Sequence, residues 1–346
     1  MINNIKLLKT PSLITDEKQR QYFLGFKSSF GYLLITDTID FYTDSRYLYA
    51  AKEELESQGV NVIEYKGLSV IKDNLKSKGI KTLGIDYTLT TMSEQKSYKE
   101  LGVKFKDISS KLEKIFAIKN KEELKNIVNA CNVAQKALYQ VLPEIKKGVT
   151  EKEIKDKLEY KMKQLGAEKE SFDSIVAFGK NSAVPHHQSG DTMLDDNMAV
   201  LIDFGCVVNG YCSDCTRTFF YGTPSEKFIN AYNAVLEANV RAEEQITKGM
   251  RFDLCDKQAR GVLENFGLAK YFTHSLGHGI GVNVHEYPYL SPKRNDGELK
   301  NGMVFSVEPG VYFDGEFGIR IEDTCYLQGK KVKRLFNDEK NLIILK

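Results

Sequence analysis

The strongest constraint on how this chain can fold is a set of carboxylates embedded in strand-like apolar runs. In AVLIDFGCVV, Asp203 stands where a buried strand would carry another hydrophobic residue. An unpartnered buried carboxylate is expensive, so the fold must bring it a cation or strong hydrogen bonds. Eleven residues later Asp214 appears in SDCTRTFF, just before a second strand-like run. That separation predicts two neighbouring antiparallel strands joined by a turn around Asn209 and Gly210, with both carboxylates facing one point. Glu308 follows MVFSV and precedes Pro309 and Gly310, and Glu322 sits in GIRIEDTCYL. All four acids read as strand residues. One such acid is ordinarily a surface or turn residue; four in apolar runs are hard to explain without metal.

The stretch YFTHSLGHGIGVNVHE, from Tyr271 to Glu286, supplies nitrogen donors. It holds three of the protein's five histidines, His274, His278 and His285, with Gly277, Gly279 and Gly281 alternating around His278. Glycine permits close approaches that a Cβ would block, and imidazoles clustered on such a segment suggest metal binding or proton transfer. The other two histidines, His186 and His187, are adjacent. Four carboxylates with a glycine-bedded histidine make an oxygen-rich site with one nitrogen. That composition suits a pair of divalent cations of intermediate hardness, Mn²⁺ foremost, with Zn²⁺ or Co²⁺ also compatible.

Lys plus Arg number 49 against 47 Asp plus Glu, a formal net charge of +2. Nucleic-acid binding wants a concentrated basic footprint, so no nucleic-acid partner is expected. The amino terminus lacks a signal-type apolar core, and no run reaches the length of a membrane span. The expectation is a cytoplasmic protein with no membrane partner, whose six cysteines are reduced thiols. Cys212 and Cys215 form a CxxC, but no second pair completes a zinc site. They read as small buried residues flanking Asp214.

A length of 346 residues allows two domains. GYLLIT and IDFYTD, separated by Asp37 and Thr38, read as a β-hairpin, followed by a helix from about Ser45. Short strands (NVIEY, KTLGIDY) then alternate with amphipathic helices such as Leu68 to Lys78, an α/β pattern without histidine. Near 113–121 a strand-like end gives way to a long helix whose apolar positions run from Leu124 through Leu142, with Gly148 as its terminator. Thr150 and Glu153 form a capping-box start for the next helix, which Gly166 ends. Further helices are predicted at about 225–247 and 252–266 among short strands.

These motifs resemble the pita-bread (creatinase/aminopeptidase P/prolidase) metallopeptidases, and within them the Xaa-Pro peptidase branch. Asp203 in IDFG, Asp214 in SDCTRT, His278 in HGIG, Glu308 in EPG and Glu322 in RIEDT match the family's dinuclear metal ligands in type and order. The resemblance also covers His186 in SAVPHHQ, His274, His285 in VHE and Arg320. It implies catalytic roles for His186, His285, Glu308 and Arg320 and a substrate-binding role for His274, with Tyr312 or Phe204 as candidate linings of a proline pocket. His187 matches no motif role. The match is specific over roughly 170–325, and looser over 1–118 through LGFKSSFGYLLIT and TDSRY.

The fold so implied is α+β: a C-terminal pita-bread domain over residues 119–346 behind a smaller α/β creatinase-like domain over 1–118. The implied reaction is metal-assisted amide hydrolysis with two cations orienting a water and Glu308 exchanging its proton. TDSRY is more like aminopeptidase P, so the expectation is an Xaa-Pro aminopeptidase acting on peptides with proline second. Xaa-Pro dipeptidase (prolidase) is the alternative, and a non-catalytic peptide-binding protein on the same fold is the alternative of another class. The resemblance also implies a homo-oligomer, a dimer or tetramer.

Overall fold

A computed structural model describes residues 4–346. The chain divides into two compact units, Met1–Ile115 and Phe116–Lys346. The first is built on one six-stranded sheet in the order β4-β3-β2-β1-β5-β6. Its strands are β1 (Ser12–Ile14), β2 (Tyr32–Ile35), β3 (Ile39–Thr43), β4 (Val60–Glu64), β5 (Thr82–Ile85) and β6 (Lys104–Asp107). β2 and β3 pair antiparallel across Asp37 and Thr38, the hairpin read from the sequence. β3–β4 and β5–β6 are parallel, because each connection carries a helix that needs room to cross over. Helices α1 (Glu17–Leu24), α2 (Ser45–Leu55), α3 (Leu68–Ser77) and α4 (Met92–Tyr98) fill out this unit. Leu34, Tyr42, Ile71, Leu75, Leu83 and Tyr98 are buried together in its core.

After α5 (Ser109–Ala117), the second unit opens with α6 (Lys121–Val141) and α7 (Glu151–Gln164). Capping boxes start both: Asn120 with Glu123, and Thr150 with Glu153. α6 stops at Val141 and tightens into a 3₁₀ turn over Leu142–Glu144 that contains Pro143. Pro143, which has no N–H to continue the ladder, ends the helix, rather than Gly148 five residues on. Later in the chain α8 (Glu226–Gln245) and α9 (Phe252–Asn265) occupy the predicted helical stretches. No helix among the described residues is long and apolar enough to cross a membrane.

The strands of this unit form several small sheets rather than one large one. β7 (Lys169–Glu170), β10 (Cys206–Val208) and β11 (Tyr211–Cys212) make one. β8 (Ile175–Phe178), β9 (Met198–Phe204) and β12 (Cys215–Tyr221) make another, with the short terminal strand Ile344–Leu345 at its edge. A further sheet joins β13 (Gly277–Gly279), β14 (Glu286–Leu290), β15 (Val304–Val307) and β18 (Asp323–Gln328), with Lys331–Arg334 beyond. β16 (Gly310–Phe313) pairs with β17 (Phe317–Arg320). β9 and β12 are antiparallel with Asp203 opposite Thr216, the turn at Asn209 and Gly210 lying between them as expected.

Only one of the four acids is a strand residue. Asp203 lies in β9, but Asp214 falls between β11 and β12, Glu308 between β15 and β16, and Glu322 between β17 and β18. At a break the backbone leaves the ladder and its N–H bonds elsewhere: Glu308 N–H donates to Leu276 O at 2.8 Å and Glu322 N–H to Thr216 O at 3.1 Å. The breaks free these side chains from the alternating in-and-out geometry of a strand.

Gly205, between β9 and β10, lets two chain segments cross. A Cβ there would collide with the backbone carbonyl of Ser213, next to Asp214. Gly205→Ala is therefore expected to lower stability by about 2 kcal/mol or more, as overpacking against an unyielding backbone does. Urea denaturation of the two proteins measures it, and equal midpoints would show that the crossing has slack.

Candidate active site

Asp203, Asp214, His278, Glu308 and Glu322, brought from five separate places in the sequence, line one cleft of about 570 Å³. Ligating atoms of Asp214, His278 and Glu322 lie within 4.8 Å of one another. His278 Nε2 is 3.3 Å from Glu308 Oε1 and 3.6 Å from Asp214 Oδ2. On the other side of the ring Nδ1 is 3.2 Å from Gly279 O. That carbonyl accepts from Nδ1–H and orients the ring, so that Nε2 is the nitrogen turned toward the acids. Gly277 is required for this placement, since a Cβ would run into the Ser306 carbonyl of β15.

The electrostatics describe uncompensated negative charge. Burial, followed by the charge of Glu322 and Asp203, pushes the Asp214 carboxyl well above its ordinary range. Burial, followed by the charge of Glu308 and Asp203, does the same to Glu322. Burial also raises Asp203. Glu308 goes the other way: burial would raise it, but its hydrogen bond to His278 and that imidazole's charge bring it down to about 2. The same bond raises His278 against its own burial.

Two buried carboxylate oxygens in this group, Asp203 Oδ1 and Glu322 Oε1, have no hydrogen-bond partner, while their sister oxygens do. Glu322 Oε2 accepts from Thr216 Oγ1 at 2.7 Å, and Asp203 Oδ2 from Arg320 Nη2 at 2.7 Å. Buried acceptors left open beside one imidazole nitrogen fit divalent cations of the Mn²⁺, Co²⁺ or Zn²⁺ kind. Asp203, Asp214, His278, Glu308 and Glu322 are the residues that would hold them.

Arg320 lies in the wall of the cleft, but its guanidinium is committed inward. Nε donates to Thr216 Oγ1 at 3.0 Å, Nη1 to the Tyr312 hydroxyl at 2.7 Å and Nη2 to Asp203. Tyr312, pushed up to about 12 by burial, sits 2.9 Å from His274 Nε2, and His274 Nδ1 sits 2.9 Å from Ser275 O. The polarity runs one way: Arg320 donates to Tyr312, Tyr312 to His274, and His274 to the chain. Burial lowers the His274 pKa, which favours the neutral ring this chain requires. Tyr312 thus works behind the wall, holding His274 and Arg320, rather than lining the cleft.

Phe204 does not reach the cleft either. It is 1% exposed and meets Phe336 edge-on, with ring centroids 6.5 Å apart. The β9 pleat explains this, because consecutive residues face opposite sides and Asp203 takes the cleft side. The apolar lining comes instead from Phe172, Ile175, Pro185 and Tyr289.

His186 and His285 complete the cleft's polar rim. The His285 ring stands 4.2 Å from that of His278, and burial keeps its pKa low. Behind it Glu286 forms a buried ion pair with Lys119 and fills the space under Gly281. His187 has a task the sequence did not reveal. Its Nε2 meets Glu151 Oε2 at 2.8 Å, and the same carboxylate takes the N–H groups of Phe178 and Gly190. Glu151 and His187 thereby fix the loop that presents His186.

Sequence reasoning also missed three hydroxyls. Ser306 Oγ accepts from His278 N–H at 3.0 Å and donates to Glu308 Oε1 at 3.0 Å. Thr216 bridges Glu322 and Arg320, and Thr324 Oγ1 donates to Asp214 O at 2.7 Å. A signal was available. Each stands only two residues from a cleft acid (Ser306 before Glu308, Thr216 after Asp214, Thr324 after Glu322), near enough in the chain to have been considered as a partner for the site. All six cysteines are buried thiols, Cys212 and Cys215 among them.

Comparison with known proteins follows the same lines. Residues 125–328 match metallopeptidase family M24, and residues 12–116 match the creatinase/prolidase N-terminal domain. The Xaa-Pro dipeptidase of Pyrococcus furiosus is 39% identical over 315 residues, covering 90% of this chain and 89% of that one. The structure of an Xaa-Pro dipeptidase from Bacillus anthracis superposes with a TM-score of 0.95 at 34% identity, covering 99% of both chains. An X-Pro aminopeptidase from Thermotoga maritima gives 0.90, also at 34% identity, covering 98% of this chain and 97% of that one.

The raised carboxyls yield a pH prediction for metal-stripped protein. Asp214 has a higher pKa folded than unfolded, so its contribution to stability is full below the unfolded value of about 4 and is lost as pH rises through the folded one. Asp214→Asn removes that loss. Relative to wild type, the variant should gain melting temperature at pH 8 and gain less at pH 5. A shift independent of pH would show that Asp214 is not crowded by its neighbours.

Proposed function

The chain belongs to metallopeptidase family M24, and on that premise we propose that it is an Xaa-Pro dipeptidase, a prolidase. Membership makes it a peptidase dependent on divalent metal ions, with a pita-bread C-terminal domain behind a creatinase-like N-terminal one. The proposed domain limits are 1–118 and 119–346. The observation that carries the reading is the convergence of Asp203, Asp214, His278, Glu308 and Glu322 on one cleft rimmed by His186 and His285.

Bound divalent cations would supply Lewis acidity and an activated water. The chain's own groups account for the rest. Asp203, Asp214, His278, Glu308 and Glu322 are the proposed ligands, with Mn²⁺ the ion their hardness suits best. Glu308, open to the cleft, is the group to accept the attacking water's proton and return it to the leaving nitrogen. His186 and His285 are placed at the rim to donate to the carbonyl oxygen and to steady the proline nitrogen, which has no N–H of its own. Arg320 acts through Asp203, fixing the carboxylate that it binds. His274, held by Tyr312, leaves one edge toward Glu308, with Nδ1 at 4.0 Å from Oε2.

Dipeptidase is preferred over the Xaa-Pro aminopeptidase expected from TDSRY. In the structure that segment is capping chemistry: Asp44 caps α2 and pairs with Arg46 on an exposed surface. It therefore says nothing about peptide length, whereas the Pyrococcus furiosus and Bacillus anthracis relatives are both named Xaa-Pro dipeptidases. The Thermotoga maritima X-Pro aminopeptidase, as identical as the Bacillus structure, keeps the aminopeptidase reading as the second.

Mn²⁺-loaded protein should hydrolyse an Xaa-Pro dipeptide and leave a longer peptide beginning Xaa-Pro largely intact. Efficient release of the first residue from the longer peptide would turn the assignment to aminopeptidase, and no cleavage of either would overturn the substrate class. Glu308→Ala and His278→Ala should each lower dipeptide turnover by roughly 10³-fold or more while the circular dichroism spectrum is kept. Retained activity in either would sink the ligand assignment.

A further inference from the structure

Glu308 and Glu322 face each other at a seam between two antiparallel ladders: Val307 pairs with Asp323 on one side and Gly310 with Arg320 on the other, while the two acids belong to neither. One buried side chain outside both sheets touches the two. Asn239, 0% exposed and on the inward face of α8, directs its amide between the strand ends. Nδ2 donates to Val307 O at 2.9 Å and to Ile321 O at 3.1 Å. Val307 and Ile321 are the residues immediately before Glu308 and Glu322. The Asn239 oxygen accepts from Lys340 Nζ at 2.5 Å, and Lys340 also reaches Glu243 at 2.8 Å.

We propose that Asn239 is a positioning residue for the candidate metal centre, a clamp whose two amide hydrogens tie the Val307 and Ile321 carbonyls and so steady the unpaired seam that carries Glu308 and Glu322. The inference rests on the ligand reading given above, but not on which peptide is cleaved. Three features carry it. The two carbonyls sit at the seam where the β15–β18 ladder stops and the β16–β17 ladder has not begun, next to both acids. A primary amide is the side-chain group that offers two donors from one atom in a fixed plane, so both carbonyls are held at once. Lys340 satisfies the amide oxygen and thereby fixes which way round the amide sits. A carboxylate in its place would turn acceptors toward two carbonyls.

Partners that orient ligands from behind typically change metal affinity by 10- to 100-fold when removed. A role confined to packing would lower the melting temperature and leave affinity alone, so affinity is the discriminating readout. Asn239→Asp keeps the shape and removes both donors. Asn239→Ala is the second variant, in case the first does not fold. Leu158→Ala, which truncates a fully buried side chain of α7, serves as a destabilised control away from the strand ends. Metal-stripped proteins, each shown to be folded by circular dichroism, are titrated calorimetrically with Mn²⁺ alone.

The expected result is a loss of roughly tenfold or more in Mn²⁺ affinity for the Asn239 variants, with Leu158→Ala binding as wild type does. Asn239 variants that are destabilised yet bind Mn²⁺ with wild-type affinity would overturn the proposal. Wild-type protein that takes up no Mn²⁺ would instead bring down the ligand reading itself, a separate outcome.

Discussion

The architecture of the second unit is governed by the cost of gathering carboxylates in one buried place. Asp203, Asp214, Glu308, Glu322 and the His278 imidazole share a cleft where Asp214 and Glu322 are 4% and 1% exposed. Burial raises the carboxyls of Asp214 and Glu322, and the neighbouring acids raise them further. A fold with no use for that concentration of charge would dissipate it by turning the acids to solvent. Here strand breaks, glycine crossings and backbone bonds all hold them inward. The compensation within the chain is incomplete: Arg320 answers Asp203 and His278 answers Glu308, while two buried oxygens remain open. That imbalance, favourable only with added positive charge, is the physical argument for divalent cations.

Rigidity comes from groups that never face the cleft. Thr216 joins Glu322 to Arg320, Ser306 joins His278 to Glu308, and Tyr312 joins Arg320 to His274. Deeper still, Glu151 with His187 fixes one rim loop and Lys119 with Glu286 backs the other. These are buried polar networks in which most members have partners, the condition under which such networks specify one geometry rather than merely costing stability. Catalysis of amide hydrolysis depends on placement to a fraction of an ångström, and these networks are where that placement is set.

Much of this was legible in the sequence because buried charge is conspicuous against an apolar background. Asp203 in AVLIDFG and Glu322 in GIRIEDT announce themselves, and the glycines around His278 mark close approach. The capping box of Thr150 and Glu153 located one helix start, while the box that Asn120 forms with Glu123 went unread. Other features were hidden for identifiable reasons. Pro309 and Gly310 did mark a break after Glu308, but no such turn residues flank Asp214 or Glu322, and all three looked like strand residues. Phe204 looked like a pocket residue because hydrophobicity does not say which pleat face a side chain takes. His187 and Asn239 bond to partners 36 and 68 residues away, and pairing over such distances belongs to the fold rather than to any local pattern. Peptide length was least legible, since TDSRY is local capping.

The central claim is that five named side chains hold two divalent cations in one cleft. The most direct measurement is an anomalous difference map from crystals of the protein grown with Mn²⁺. The account predicts two peaks about 3.5–4 Å apart, each within coordinating distance of oxygens from Asp203, Asp214, Glu308 or Glu322, with His278 Nε2 on one of them. A single peak would contradict the two-cation account, and peaks elsewhere on the molecule would contradict the site.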